Sequence, residues 1–158
     1  MTIPAADGFD VLNVVGRYFQ FCDAKDWDGM RSLWADMVTV DYGGVLPVEG
    51  QVEAETLKRT MADAIDPIPL TQHMVTSPVV TVDGDTATVR LHLEALHHHP
   101  GLGEDERSTN WTLYARNAIG LDRTPEGWKV SSEKMTVVCQ TGNKDFVSEL
   151  TDLVTGRS

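Results

Sequence analysis

A chain of 158 residues, 41% hydrophobic and 23% charged, has ordinary globular composition and length for one domain, residues 1–158, with a sizeable core. Its net charge of −11 argues against nucleic acid and against anionic membrane surfaces as partners, since both are held by Lys and Arg. Cys22 and Cys139 stand far apart in apolar surroundings and read as buried free thiols. The first residues carry no basic stretch leading into an apolar run, and no segment is long enough to span a bilayer, so a cytoplasmic protein is expected.

The first periodic segment, Phe9 to Cys22, places Leu12, Val15, Phe19 and Cys22 at helical spacing, with Val11, Val14 and Tyr18 widening the stripe. Asp26 is a good N-cap for a second helix with Trp27, Met30, Leu33 and Trp34 on its inner face. Val38 to Tyr42 alternates as a strand that stops at Gly43-Gly44, with Val38, Val40 and Tyr42 on one face. A third helix is predicted over Val52 to Ile65, with Leu57, Met61 and Ile65 stacked four apart. After Asp66-Pro67-Ile68-Pro69 the period changes from 3.6 to 2. Leu70 opens the strand-like runs, and Val79 to Val82 meets an Asp83-Gly84-Asp85 turn. Thr86 to His97 is the return strand, with Val89, Leu91, Leu93, Ala95 and His97 on one face. Arg107 to Leu121 and Trp128 to Gln140 read as two further long strands. Asn143 could cap a last helix carrying Phe146, Leu150 and Leu153. Helices gathered ahead of a hairpin-connected sheet predict an α+β fold.

His73 is a lone imidazole heading an otherwise apolar segment. It is either a hydrogen-bonded core histidine or the acid/base group of a pocket. Asp23, at the end of the first helix, is either a solvated helix end or a carboxylate that orients an imidazole and stabilises its cation. Tyr42 places a phenol on an apolar face, where its hydroxyl needs a partner. In the run His97-His98-His99, parity sends His97 toward the core or a pocket, and leaves His98 and His99 as a solvated strand end. A zinc set of His73, His97 and His99 lacks an acidic or thiolate ligand at motif spacing, so no metal is expected. Ser108 and Asn110 alternate with Trp111 and Leu113 and by pattern lie on the sheet's outer face. The chain has no Gly-rich phosphate loop, nucleophile elbow, HExxH or CxxC, so no cofactor is expected.

Five pieces occur in a set order between about Leu12 and Lys134: Cys22-Asp23-Ala24-Lys25-Asp26-Trp27-Asp28, Val40-Asp41-Tyr42, Thr71-Gln72-His73, the histidine ending the long strand, and Ser108-Thr109-Asn110. Together they resemble the SnoaL-like branch of the nuclear-transport-factor-2-like (NTF2-like) superfamily, and within it the scytalone dehydratases. The resemblance implies a curved antiparallel sheet wrapped by three N-terminal helices into a cone with an apolar pocket, here followed by a short C-terminal helix. It implies an Asp–His pair at Asp23 and His73. A second pocket histidine falls on His97 if the hairpin is one residue shorter, and on His98 if it is not. A tyrosine that binds the substrate carbonyl through water falls on Tyr42, and the Ser and Asn that touch substrate fall on Ser108 and Asn110, against the pattern reading. The family's second water-holding tyrosine falls on Cys22, which cannot replace a phenol; Tyr18, one turn earlier, is the candidate substitute. The implied activity is cofactor-free dehydration or isomerisation of a hydrophobic, carbonyl-bearing, polyketide- or steroid-like molecule. Cyclisation and ligand binding without turnover are the alternatives on the same fold. Relatives associate through the sheet's outer face, so a homodimer or homotrimer is expected.

Overall fold

The computed structural model describes residues 5–156. Helix α1, Ala5–Ala24, buries Val11, Val15, Tyr18, Phe19 and Cys22 along one stripe. It stops where Lys25 turns left-handed at φ 56°. The Lys25 ammonium then donates to the carbonyls of Asp66 (2.9 Å) and Ile68 (2.7 Å), pinning the end of α1 to the approach of a later strand. Asp26 caps α2, Trp27–Ser32, by accepting the Gly29 N–H at 2.9 Å.

Trp34 does not continue α2 as its spacing predicts. It begins strand β1, Trp34–Asp41. The cause is long-range: Val130 donates its N–H to Leu33 and pairs in register with Trp34, so the distant strand captures the chain one turn early. A short strand that the sequence does not announce, β2 (Glu49–Glu53), pairs antiparallel with β1. Its residues are mostly polar because an edge ladder needs backbone groups, not an apolar face. Helix α3, Ala54–Ile65, follows two residues later than predicted and buries Ala54, Leu57, Met61 and Ile65.

Strands β3 (Leu70–Asp83), β4 (Thr86–His98), β5 (Asn110–Thr124) and β6 (Gly127–Gly142) complete a six-stranded sheet of order β2-β1-β6-β5-β4-β3. It is α+β and is not closed into a barrel. All neighbours run antiparallel except β1 and β6, which are parallel, so the wholly antiparallel expectation is corrected at that pair. Gly84 takes φ 59° in the turn joining β3 to β4, the conformation an Asp-Gly pair favours.

The strand expected to begin at Arg107 is preceded by a short helix α4, Glu106–Thr109. There Asp105 and Ser108 form a reciprocal capping box that outcompetes strand pairing locally. Helix α5, Phe146–Thr155, buries Phe146 and Leu150 but leaves Leu153 about half exposed. Asn143 stands outside it, its Oδ1 accepting the Asp145 N–H at 3.0 Å. Cys22 is buried as expected, whereas Cys139 is exposed, because the β5–β6 register slips between Tyr114 and Ala115 and turns that stretch outward.

Candidate active site

Cross-strand partners share a face of a sheet. Thr71 lies opposite His97, and His73 opposite Ala95, so all four point inward. The end of α1 brings Asp23 onto this face. The Asp23 carboxylate accepts three hydrogen bonds: Thr71 Oγ1 to Oδ1 at 3.0 Å, His73 backbone N–H to Oδ2 at 2.8 Å, and His73 Nδ1 to Oδ1 at 2.6 Å. A carboxylate only accepts, so Nδ1 carries the proton and Nε2 is the ring nitrogen left for other work. The side chains of His73 and Asp23 are 11% and 22% exposed, so neither stands in bulk solvent. Burial pushes the Asp23 carboxyl upward, but the His73 ring, the His73 backbone and Thr71 together outweigh it and hold the group below the ordinary range.

His73 lines a cavity of about 560 Å³, counting the open space at its mouth. Phe19, Cys22, Met61, Ile65, Leu93 and Leu113 supply much of its apolar wall. His97 is buried in the same wall, stacked on Trp111 with ring centroids 4.5 Å apart and edge-on to His73 at 5.9 Å. Burial, reinforced by the His73 charge, pushes His97 down to about 4. At neutral pH it is therefore an uncharged imidazole, and its Nδ1 has no hydrogen-bond partner among the described residues.

The remaining polar wall is a cluster around Glu133. Tyr18 donates to Glu133 Oε2 at 2.5 Å, Asn117 Nδ2 donates to Oε1 at 2.6 Å, and the Tyr18 and Tyr42 hydroxyls lie 3.5 Å apart. Burial, above all, raises both phenols and the Glu133 carboxyl, although the hydrogen bonds of Tyr18, Asn117 and Tyr42 pull Glu133 partly back. Cys22 also lines the cavity, its thiol pushed up to about 12 by burial and by the neighbouring Asp23 and Glu133 charges.

Thus Asp23, His73, Tyr42, His97, Tyr18 and Cys22 gather around or beside one cavity. Three other candidates do not line it. His98 faces the opposite side of β4 and meets Asn110 Oδ1 through Nδ1 at 2.6 Å. Ser108 spends its hydroxyl on the carbonyl and carboxylate of Asp105, at 2.9 and 2.8 Å. Strand parity explains the first two and the capping box the third. His99, in turn, accepts the Gly101 N–H at 3.0 Å, apart from His73 and His97.

Sequence reasoning missed Glu133 and Asn117. Asn117 was findable, since it shares the parity of Trp111, Leu113 and Ala115. Glu133 was not, since strict alternation from Trp128 and Val130 sends it outward. A register shift opposite Gly120 and Leu121 reverses the parity and buries it.

The SnoaL-like domain family matches residues 5–134. Among solved structures, the Kfla4162 protein of Kribbella flavida is 25% identical, with 92% of this chain and 97% of that chain covered and a TM-score of 0.82. A proposed scytalone dehydratase from Novosphingobium aromaticivorans DSM 12444 is 16% identical, with 87% and 92% covered and a TM-score of 0.72. Hexachlorocyclohexane dehydrochlorinase LinA-type3 from Novosphingobium barchaimii LL02 is 15% identical, with 88% and 91% covered and a TM-score of 0.72. The last two likenesses are of fold. No match was found among curated proteins.

Proposed function

The chain belongs to the SnoaL-like domain family, and we propose that its cavity is the active site of a cofactor-independent lyase that dehydrates a hydrophobic β-hydroxy carbonyl compound of polyketide- or steroid-like size. The observation that carries this reading is the 2.6 Å contact between His73 Nδ1 and Asp23 at the wall of an apolar cavity. His73 Nε2 takes a proton from the carbon α to the carbonyl. Asp23 holds the tautomer that makes Nε2 the base and stabilises the imidazolium that forms. The electron pair moves onto the carbonyl oxygen as an enolate, which a cavity phenol, Tyr42, meets by hydrogen bonding. The pair then returns to form the double bond as the β-hydroxyl departs, taking the proton from His73 and leaving as water. His97, held neutral, does not act as the acid; it offers a hydrogen bond that positions the substrate. General acid/base assistance of this kind contributes about 10²–10⁴-fold. The dehydratase and dehydrochlorinase among the structural neighbours are, by name, enzymes of elimination, which agrees with this reading.

The test is to incubate the purified protein with a panel of bicyclic β-hydroxy ketones and follow product mass. The expected product has lost one water, and its formation depends on His73. A product of unchanged mass would replace dehydration by isomerisation or cyclisation. Tight binding of the panel with no turnover at all would assign the chain to non-catalytic ligand binding.

A further inference from the structure

Among the described residues, Glu133 is the one buried carboxyl that the proposed reaction does not use. It is 4% exposed, and among the described residues no Lys or Arg pairs with it. An uncompensated buried carboxylate is costly, and glutamine could accept and donate at the same place without a charge. Its neighbours are also unusual for a structural hydrogen-bond network. They line the cavity, and one of them, Asn117 Oδ1, is buried without a partner among the described residues.

The hydrogen bonds form a chain from Tyr42 to Tyr18 to Glu133. Its direction depends on one proton. With Glu133 ionised, Tyr18 must donate to Oε2, and Tyr42 turns its proton toward Tyr18 or toward the carboxylate itself; the phenol oxygens then offer lone pairs to the cavity. With Glu133 neutral, Oε1 still accepts from Asn117 Nδ2, so the acid proton sits on Oε2 and is donated to Tyr18 Oη. Both phenol protons are then free to point at a ligand oxygen.

We propose that Glu133 is a positioning residue that acts through Tyr18, its proton deciding whether Tyr18 and Tyr42 present donors or acceptors to the cavity, so that a carbonyl compound is taken up with Glu133 neutral. The proposal rests on the carbonyl-binding part of the function given above. The groups that face this cluster are Tyr18 and Cys22 from α1, Tyr42 after β1, Asn117 from β5, and His73 from β3. Burial raises the Glu133 carboxyl, which agrees in direction with a neutral acid persisting toward neutral pH.

The probe is 1-tetralone, a bicyclic ketone that carries no titratable group, with binding followed by tryptophan fluorescence across pH. Wild-type affinity should fall about tenfold as pH rises through the ionisation of Glu133, the worth of roughly one hydrogen bond. Glu133→Gln, a neutral isostere, should abolish that pH dependence and keep the low-pH affinity. His73→Ala should leave the dependence in place. The infrared carbonyl stretch of a neutral carboxylic acid, followed in wild type and absent from Glu133→Gln, should disappear over the same pH range; this measurement on wild type stands even if the variant fails to fold. A dependence that persists in Glu133→Gln, or that His73→Ala removes, overturns the proposal, as does a wild type that never binds tetralone. If the dependence follows Glu133 while no β-hydroxy ketone is turned over, the dehydratase reading fails and this one stands.

Discussion

The carboxylate of Asp23 grips both the ring and the backbone of His73, fifty positions further along the chain: one oxygen takes Nδ1 at 2.6 Å and the other takes the main-chain N–H at 2.8 Å. The backbone bond fixes where the strand lies, and the ring bond fixes which nitrogen is free. The proposed chemistry thus rests on a contact that also ties α1 to β3.

Removing the imidazole tests the proposed chemistry while leaving the backbone bond from His73 to Asp23 in place. His73→Ala should lower turnover of any substrate the wild type accepts by about 10²–10⁴-fold. Asp23→Asn keeps shape but loses the charge that stabilises the imidazolium, and should fall in the same range. Steady-state kinetics with circular dichroism as a folding control reads this. Wild-type rates in a folded His73→Ala would exclude His73 as the base.

Acid should destabilise the protein through His97. A base whose folded pKa lies near 4 against an unfolded value of 6.5 binds more protons when unfolded. Its contribution to stability is therefore complete above pH 6.5 and is lost as pH falls toward 4. The window corresponds to about 3 kcal/mol. His97→Phe, which can stack on Trp111 without titrating, should flatten that slope in urea denaturation at a series of pH values.

Glu133 should act in the opposite sense. A carboxyl raised in the folded state adds stability in acid and loses it as pH climbs from the ordinary carboxylate value, 4.5, through the folded one. Glu133→Gln should therefore be more stable than wild type on the alkaline side of that window. Equal pH dependence in the two proteins, read by the same denaturation series, would show that Glu133 does not titrate abnormally.

Asp23 should steepen the acid limb below the ordinary carboxylate range. Its depressed folded pKa gives stability that is present above the unfolded value and is lost as pH falls through the folded one. Asp23→Asn should lose this limb while keeping the one that belongs to His97, which separates the two titrations in a double-variant comparison.

The two thiols should differ in reactivity. Cys22 is buried, with its thiol pushed up to about 12, and Cys139 is exposed. A disulfide reagent should titrate one thiol in the native protein and both in denaturant. Two rapidly reacting thiols in the native state would mean that the cavity wall opens at Cys22.

The placement of much of the candidate site was legible because it lies on regular periods. Strand alternation places His97 inward among Leu91, Leu93 and Ala95 and sends His98 to the far face. The helical stripe places Tyr18 and Cys22 on one buried side of α1. The resemblance supplied the pairing of Asp23 with His73, which no local pattern contains. Trp34, the unannounced β2, the capping box at Ser108 and the exposed Cys139 were illegible because each is decided by a competition between local preference and a partner strand or cap elsewhere.

Local periodicity specifies the main helices and long strands, though not β2 or α4, together with the inward faces of α1, β4 and β5 and the residue types available for the proposed acid/base work. These follow from hydrophobic periods of 3.6 and 2, which are properties of neighbouring residues. Only the tertiary structure decided that β1 runs parallel to β6, that Asp23 reaches His73, and that Glu133 joins Tyr18 and Asn117 in the same cavity. Those are settled by register between distant strands, and a single extra residue in one ladder is enough to turn a carboxyl from solvent to core.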